Sequence, residues 1–120
     1  MMTVKETLTA AKELLKTEGW AKGDLIKGDG CLCALGAVGL ATGHEAAIRG
    51  DDYDIFDEDP KASAAVKALV DQIPEKTLKK LWLDTSNPDY SFIHEFNDAP
   101  DTAEEDVLAL FDKAIQAQGE

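Results

Sequence analysis

Residues 31–42, Cys-Leu-Cys-Ala-Leu-Gly-Ala-Val-Gly-Leu-Ala-Thr, run for twelve positions without a charge in a chain whose charged fraction is 30%. Such a run has to leave water, and its length suits a few turns of a core helix. It is too short to span a bilayer, which takes about 20 apolar residues. Gly30 and Gly43 punctuate its two ends. The pattern predicts a central buried helix over 31–42, with the other helical segments lying against it.

Projected on a helical wheel, Cys33, Gly36, Ala37 and Leu40 share one face and Cys31, Leu35 and Val38 the other. The two cysteines then point about 160° apart and cannot form a disulfide with each other. Gly36 and Gly39 each cost about 1 kcal/mol relative to alanine inside a helix. Close approach of a neighbouring helix to the small face is the expected compensation.

The flanking segments are amphipathic. Thr3-Val-Lys-Glu6 spells a capping box, and Val4, Leu8, Ala11 and Leu15 recur at helical spacing up to Gly19, which predicts a helix over 3–17. Residues 19–30 hold four glycines and read as loop, with Trp20 folded back onto the core and a short extended piece at Leu25-Ile26. Residues 44–49 extend as a ragged turn, and the acid-rich run 51–59 reads as loop. Asp59-Pro60 opens a helix over 60–73 with Ala62, Ala65, Val66, Leu69, Val70 and Ile73 inside. A shorter helix over 75–84 follows, with Leu78, Leu81 and Trp82 as its stripe, and 84–89 is turn-rich. Residues 90–96 suit one or two helical turns. Thr102-Ala-Glu-Glu105 looks like a second capping box, opening a last helix with Ala103, Val107, Leu108, Phe111, Ala114 and Ile115 inward and Gly119 at its end.

The expectation is therefore an all-α, single-domain bundle over 1–120, with four main helices and one or two short turns around 31–42. A chain of 120 residues buries about two-thirds of its extended surface and needs no disulfide or metal to fold.

Charge is distributed unevenly. Residues 1–50 carry six basic and six acidic side chains, so the whole net charge of −12 lies in 51–120. Asp51, Asp52, Asp54, Asp57, Glu58 and Asp59 fall within nine residues, and a second acidic group spans 95–106. A field of that sign repels nucleic acid and anionic membranes and attracts basic partners. The expected activity is non-enzymatic binding of a host or cellular protein, a basic one by charge, through Asp51, Asp52, Asp54, Asp57, Glu58, Asp59, Glu95 and Asp98. Imitation of nucleic-acid phosphates is a special form of that reading. Direct nucleic-acid binding and membrane insertion are not expected. The N-terminus has no apolar signal segment, so a cytoplasmic protein is expected.

The rival class is a thiol-dependent enzyme using Cys31 or Cys33 with His94 as base and Asp98, or the amide of Asn97, as the orienting group. Cys31 would lie near a helix N-terminus, where the dipole lowers a thiol pKa. No catalytic residue is expected on the favoured reading. A calcium loop starting at Asp52 fails, because Phe56 and Asp57 stand at its fifth and sixth positions where a ligand and a glycine are needed. Two cysteines and two distant histidines do not build a zinc site, and no cofactor is implied. Asn97-Asp98 reads as a turn whose side chains bond their own backbone, with Pro100 setting the entry to the last helix.

Three short motifs carry a resemblance. Gly19-Trp20-Ala-Lys-Gly23, Cys33-Ala-Leu-Gly-Ala37 and Asn97-Asp-Ala-Pro100, with Val107 and Ala114-Ile115 in the last helix, resemble an uncharacterised family of small proteins from actinobacteria and their phages. The likeness touches both ends and the centre, and leaves 44–90 unmatched. It implies a phage or actinobacterial origin rather than a mechanism.

Overall fold

The computed structural model describes residues 3–83, 86 and 89–118. It is all-α, and the described residues contain no β-structure beyond isolated bridges. The first helix, α1 (Val4–Glu18), starts on the predicted capping box: Glu6 N–H donates to Thr3 Oγ1 (3.1 Å) and Thr3 N–H to Glu6 Oε1 (2.8 Å). It ends where Gly19, at φ 97°, turns its N–H back to Leu15 O. Leu8, Ala11 and Leu15 are fully buried.

The uncharged stretch does not form one helix. Only Ala34–Ala41 is helical (α2), and Cys33 is its N-cap, in extended conformation. Residues 31–33 are extended because Leu32 is committed to both sides of the glycine-rich loop. Its N–H donates to Gly19 O, its carbonyl accepts from Ala21 N–H, and it pairs with Trp20 and Ile26 in two bridges. Winding 31–33 into a helix would forfeit those bonds in a place closed to water. The two-faced wheel fails with it, since every residue from Leu32 to Gly39 is buried.

The glycines of α2 do mark close approach. A Cβ on Gly36 would lie 1.9 Å from Leu25 O, and one on Gly39 would lie 2.2 Å from Ile48 Cδ1. The neighbour at Gly36 is loop backbone rather than the helix expected there. At Gly39 it is a side chain of the next helix, α3 (Glu45–Arg49).

The acidic run contains a helical turn, α4 (Ile55–Glu58), where loop was expected. Burial of Ile55 and Phe56 outweighs the repulsion of the carboxylates, which stay in water. Asp59 caps α5 (Pro60–Val70), accepting from Lys61 N–H with Pro60 at the first position. Ala62, Ala65, Val66 and Leu69 are buried as expected, and Ile73 is buried beyond the helix end. The next helix, α6 (Glu75–Lys80), stops short of Trp82, which faces solvent instead of joining the stripe. The turn-rich 84–89 lies largely outside the described residues, as does Gly119.

Then come α7 (Ser91–Asp98) and α8 (Glu104–Ala117). The second capping box is displaced by one residue. Ala103, exposed rather than buried, is the N-cap, and its N–H donates to Asp106 Oδ2 (2.8 Å); alanine has no side-chain acceptor, so only half the box forms. Val107, Leu110, Phe111 and Ala114 face inward.

Central α2 packs against α1, α3, α5 and α7, and α1 also lies against α5 and α8. The four main helices expected are α1, α2, α5 and α8. The short ones, α3, α4, α6 and α7, outnumber the one or two turns expected. Gly36→Ala is expected to lower the unfolding free energy by about 2–3 kcal/mol, because the Leu25 carbonyl it meets is backbone and cannot rotate away; urea denaturation followed by circular dichroism measures it.

Candidate functional site

Asn97 is 1% exposed and uses its whole amide. Its Oδ1 accepts from Trp20 Nε1 (2.7 Å) and from Ala34 N–H (3.0 Å). Its Nδ2 donates to Ala21 O (3.1 Å) and to Asp98 Oδ1 (3.0 Å). Asp98 Oδ1 also accepts from Gly23 N–H (2.9 Å), and Lys22 Nζ donates to Ala99 O (2.7 Å) while lying 5.7 Å from the centre of the Trp20 ring. The pair is therefore no self-bonded turn, as the sequence suggested. It joins the Gly19–Gly23, Cys33–Ala37 and Asn97–Pro100 motifs, dispersed in sequence, into one polar junction.

The junction bears on the thiol site. His94 Nε2 lies 3.4 Å from Asp98 Oδ2, so the structure brings those two together. Cys33 stands close enough to Asp98 to feel its charge, but burial above all pushes its thiol up to about 11. Its Sγ accepts from Gly36 N–H (3.3 Å), which is an N-cap role. Cys31 is outside the helix, so no dipole lowers its pKa. Hydrogen bonding to Asp29 raises it, with smaller contributions from desolvation and from Asp29 and Glu104 charge. Among the described residues no hydrogen bond joins either thiol to His94.

The predicted acidic residues divide into two groups. Asp51, Asp52, Asp54, Asp57, Glu58 and Glu95 are exposed, and none forms an ion pair among the described residues. Asp59 and Asp98 are half-buried and occupied internally. Asp59 Oδ2 lies 2.6 Å from His44 Nε2, and that hydrogen bond holds its carboxyl below the ordinary range.

What composition does not reveal is the pair of tyrosines among these acids. Tyr53 and Tyr90 stack with ring centres 5.5 Å apart, and buried Phe56 contacts both. His94 meets Tyr53 edge-on at 6.0 Å. Desolvation, followed by the charges of Asp51, Cys33, Asp98 and Asp24, pushes Tyr53 up to about 12. Desolvation and then Asp57, Asp89 and Asp54 raise Tyr90. Carboxylates from four separate stretches thus act electrostatically on one ring or the other. Among the described residues only Asp24 of these forms an ion pair with a lysine, Lys27 at 3.4 Å, and Lys67 lines a pocket with Asp57, Asp89 and Tyr90. Glu95, exposed on α7, is not among those acting on either ring. Tyr53 stands within the acidic run in the sequence itself, but Asp24, Asp89 and Tyr90 were missed because only the fold brings them to it.

Among the described residues no three His, Cys, Asp or Glu groups are placed to hold a metal ion, and no helix is long and apolar enough to cross a membrane. An acid-rimmed aromatic patch suits an organic cation, above all the planar guanidinium of arginine.

The chain belongs to the family of unknown function DUF6197, which it matches over residues 1–117. No curated protein and no solved structure matches it.

Asn97→Ala strips the acceptor from Ala34 N–H and Trp20 Nε1 and is expected to cost roughly 3 kcal/mol or more in urea unfolding. Glu95→Ala on the same helix should stay within about 0.5 kcal/mol of the parent.

Cys33 gives a second expectation. A thiol raised in the folded state favours folding while it stays protonated, so stability falls as pH rises from the ordinary value of 9.0 towards about 11. Cys33→Ser keeps an N-cap acceptor and should fold, lacking that part of the alkaline loss in denaturation at graded pH.

Proposed function

We propose that the protein is a non-enzymatic binding module that takes a basic, arginine-bearing segment of a partner protein on the Tyr53–Tyr90 face. One observation carries the reading: Tyr53 and Tyr90, distant in sequence, stack at 5.5 Å and bring the exposed acids beside Tyr53 (Asp51, Asp52, Asp54, Asp57) to Asp89 beside Tyr90. The charges of Asp24 and Asp51 reach Tyr53, and those of Asp54, Asp57 and Asp89 reach Tyr90. Asp52 and Glu58 extend the same acidic segment. The carboxylates steer a cationic segment in, and the rings offer an arginine a flat, weakly hydrated surface. If the gene is carried by a phage, one of the two origins that the resemblance implies, the partner is a protein of the host. A phosphate-imitating form of the reading makes that partner a nucleic-acid-binding protein, from which DNA would displace the module.

The thiols support binding rather than covalent catalysis. A nucleophilic cysteine needs thiolate near neutral pH, and here Cys33 is held protonated and Cys31 sits beside a carboxylate.

Fluorescence anisotropy with a short labelled arginine-rich peptide tests the proposal. Binding is expected to weaken steadily as salt rises. Asp54→Asn and Asp57→Asn should each weaken it up to about five-fold, and Tyr90→Ala by a similar factor. Binding that ignores salt and survives all three substitutions would reject the acidic face as the site.

A further inference from the structure

A different surface has the opposite character. Between α6, the Ala99–Thr102 link and α8 lies an open groove of about 420 Å³, within the range of about 300–1,000 Å³ that suits a bound ligand. Leu81, Phe96, Pro100 and Leu110 line its apolar part. Lys76, Lys80 and Lys113 line it too, against two carboxylates that are both committed. Asp101 pairs with Lys80, and Asp106 caps α8. Lys76 and Lys113 are exposed and form no ion pair among the described residues. In a chain of net charge −12, this groove is locally positive.

Trp82 is an independent sign of contact. It follows directly on Leu81 and is 93% exposed, the one exposed large hydrophobic among the described residues. Its backbone is left-handed, at φ 59°. Trp82 N–H donates to Lys79 O and Leu83 N–H to Leu78 O, the two bonds of a Schellman ending for α6. Glycine is the residue that position favours, and a bulky aromatic there is strained. Tryptophan therefore occupies a place that costs the fold and yields no burial in return. Such strain concentrates at functional sites, and exposed tryptophan is a frequent anchor of interfaces.

We infer that the α6–α8 groove, whose lining residue Leu81 is followed in the chain by the exposed Trp82, docks a short segment of a partner protein that combines apolar side chains with carboxylates. Charge complementarity selects that occupant: the free ammonium groups of Lys76 and Lys113 flank an apolar lining. An open groove also favours a peptide over a small molecule, which needs most of its surface enclosed. The groove shares no residue with the acidic tyrosine face, so the inference does not depend on the function proposed above.

The test titrates the folded protein with a labelled peptide alternating leucine with glutamate, and with its counterpart carrying lysine for glutamate. The glutamate peptide is expected to bind and the lysine peptide not to bind at the groove. Lys76→Glu and Lys113→Glu should each weaken binding about five-fold or more, while Asp54→Asn leaves it unchanged. Trp82→Gly discriminates further: it should raise the thermal midpoint, because glycine suits that backbone, and yet weaken the peptide. Failure of the glutamate peptide to bind overturns the inference, as does binding that the lysine reversals and Trp82→Gly leave intact. Sedimentation showing self-association abolished by the same reversals also overturns it, by making a second copy the occupant.

Discussion

The fold hangs on the side chain of Asn97. A helix begins with backbone N–H groups that have no partner within it, and in α2 they open inside the protein, where water cannot supply one. Asn97 Oδ1 receives Ala34 N–H from 63 positions away in sequence, and the thiol of Cys33 receives Gly36 N–H. The same amide holds the indole of Trp20 and the carbonyl of Ala21. One buried side chain therefore satisfies the start of the central helix and fastens the glycine-rich loop to the end of α7. Its four bonds leave neither amide atom idle, which is the condition under which a buried polar group stabilises rather than costs.

That junction explains why the uncharged stretch divides at Cys33. Leu32 is gripped on both sides by the loop, and Leu25 O crosses so near α2 that Gly36 has no room for a methyl group. The glycines were legible as places of close approach, because their cost within a helix demands a compensation. The division was not legible, since an apolar run reads alike as buried helix or buried strand. Helix starts at Thr3 and Asp59 were readable because their caps are local, within three residues. Asn97 was misread for the converse reason: its partners lie 63–77 positions away, and an Asn-Asp pair before a proline looks like a turn from its neighbours alone. Three scattered motifs proved to be one contact.

Charge was legible as a total and only partly as a surface. The count located the acidic half, but it gave equal weight to Asp57, which is exposed, and Asp98, whose oxygens serve Gly23, Asn97 and His94. Asp24 and Asp89 enter the picture only through the stacking of Tyr53 on Tyr90. Trp82 shows a related limit. Spacing assigned it to the stripe of α6, yet the helix ends at Lys80 and the left-handed residue after Leu81 turns the chain outward.

An acidic tyrosine face and a basic groove coexist because electrostatic influence in salt water is short. The Debye length at physiological ionic strength is about 8 Å, whereas the molecule extends 33 × 33 × 25 Å. A net charge of −12 therefore does not speak for the whole surface; each approaching segment responds to the few charges near its landing point. The α7 segment connects the two places. Tyr90 precedes its first turn, Asn97 anchors its last, and Ala99 and Pro100 just beyond it line the groove. The hydrogen bonds that start the central helix thereby also fix the position of one aromatic ring and one groove wall, so surfaces of opposite sign depend on the same buried amide.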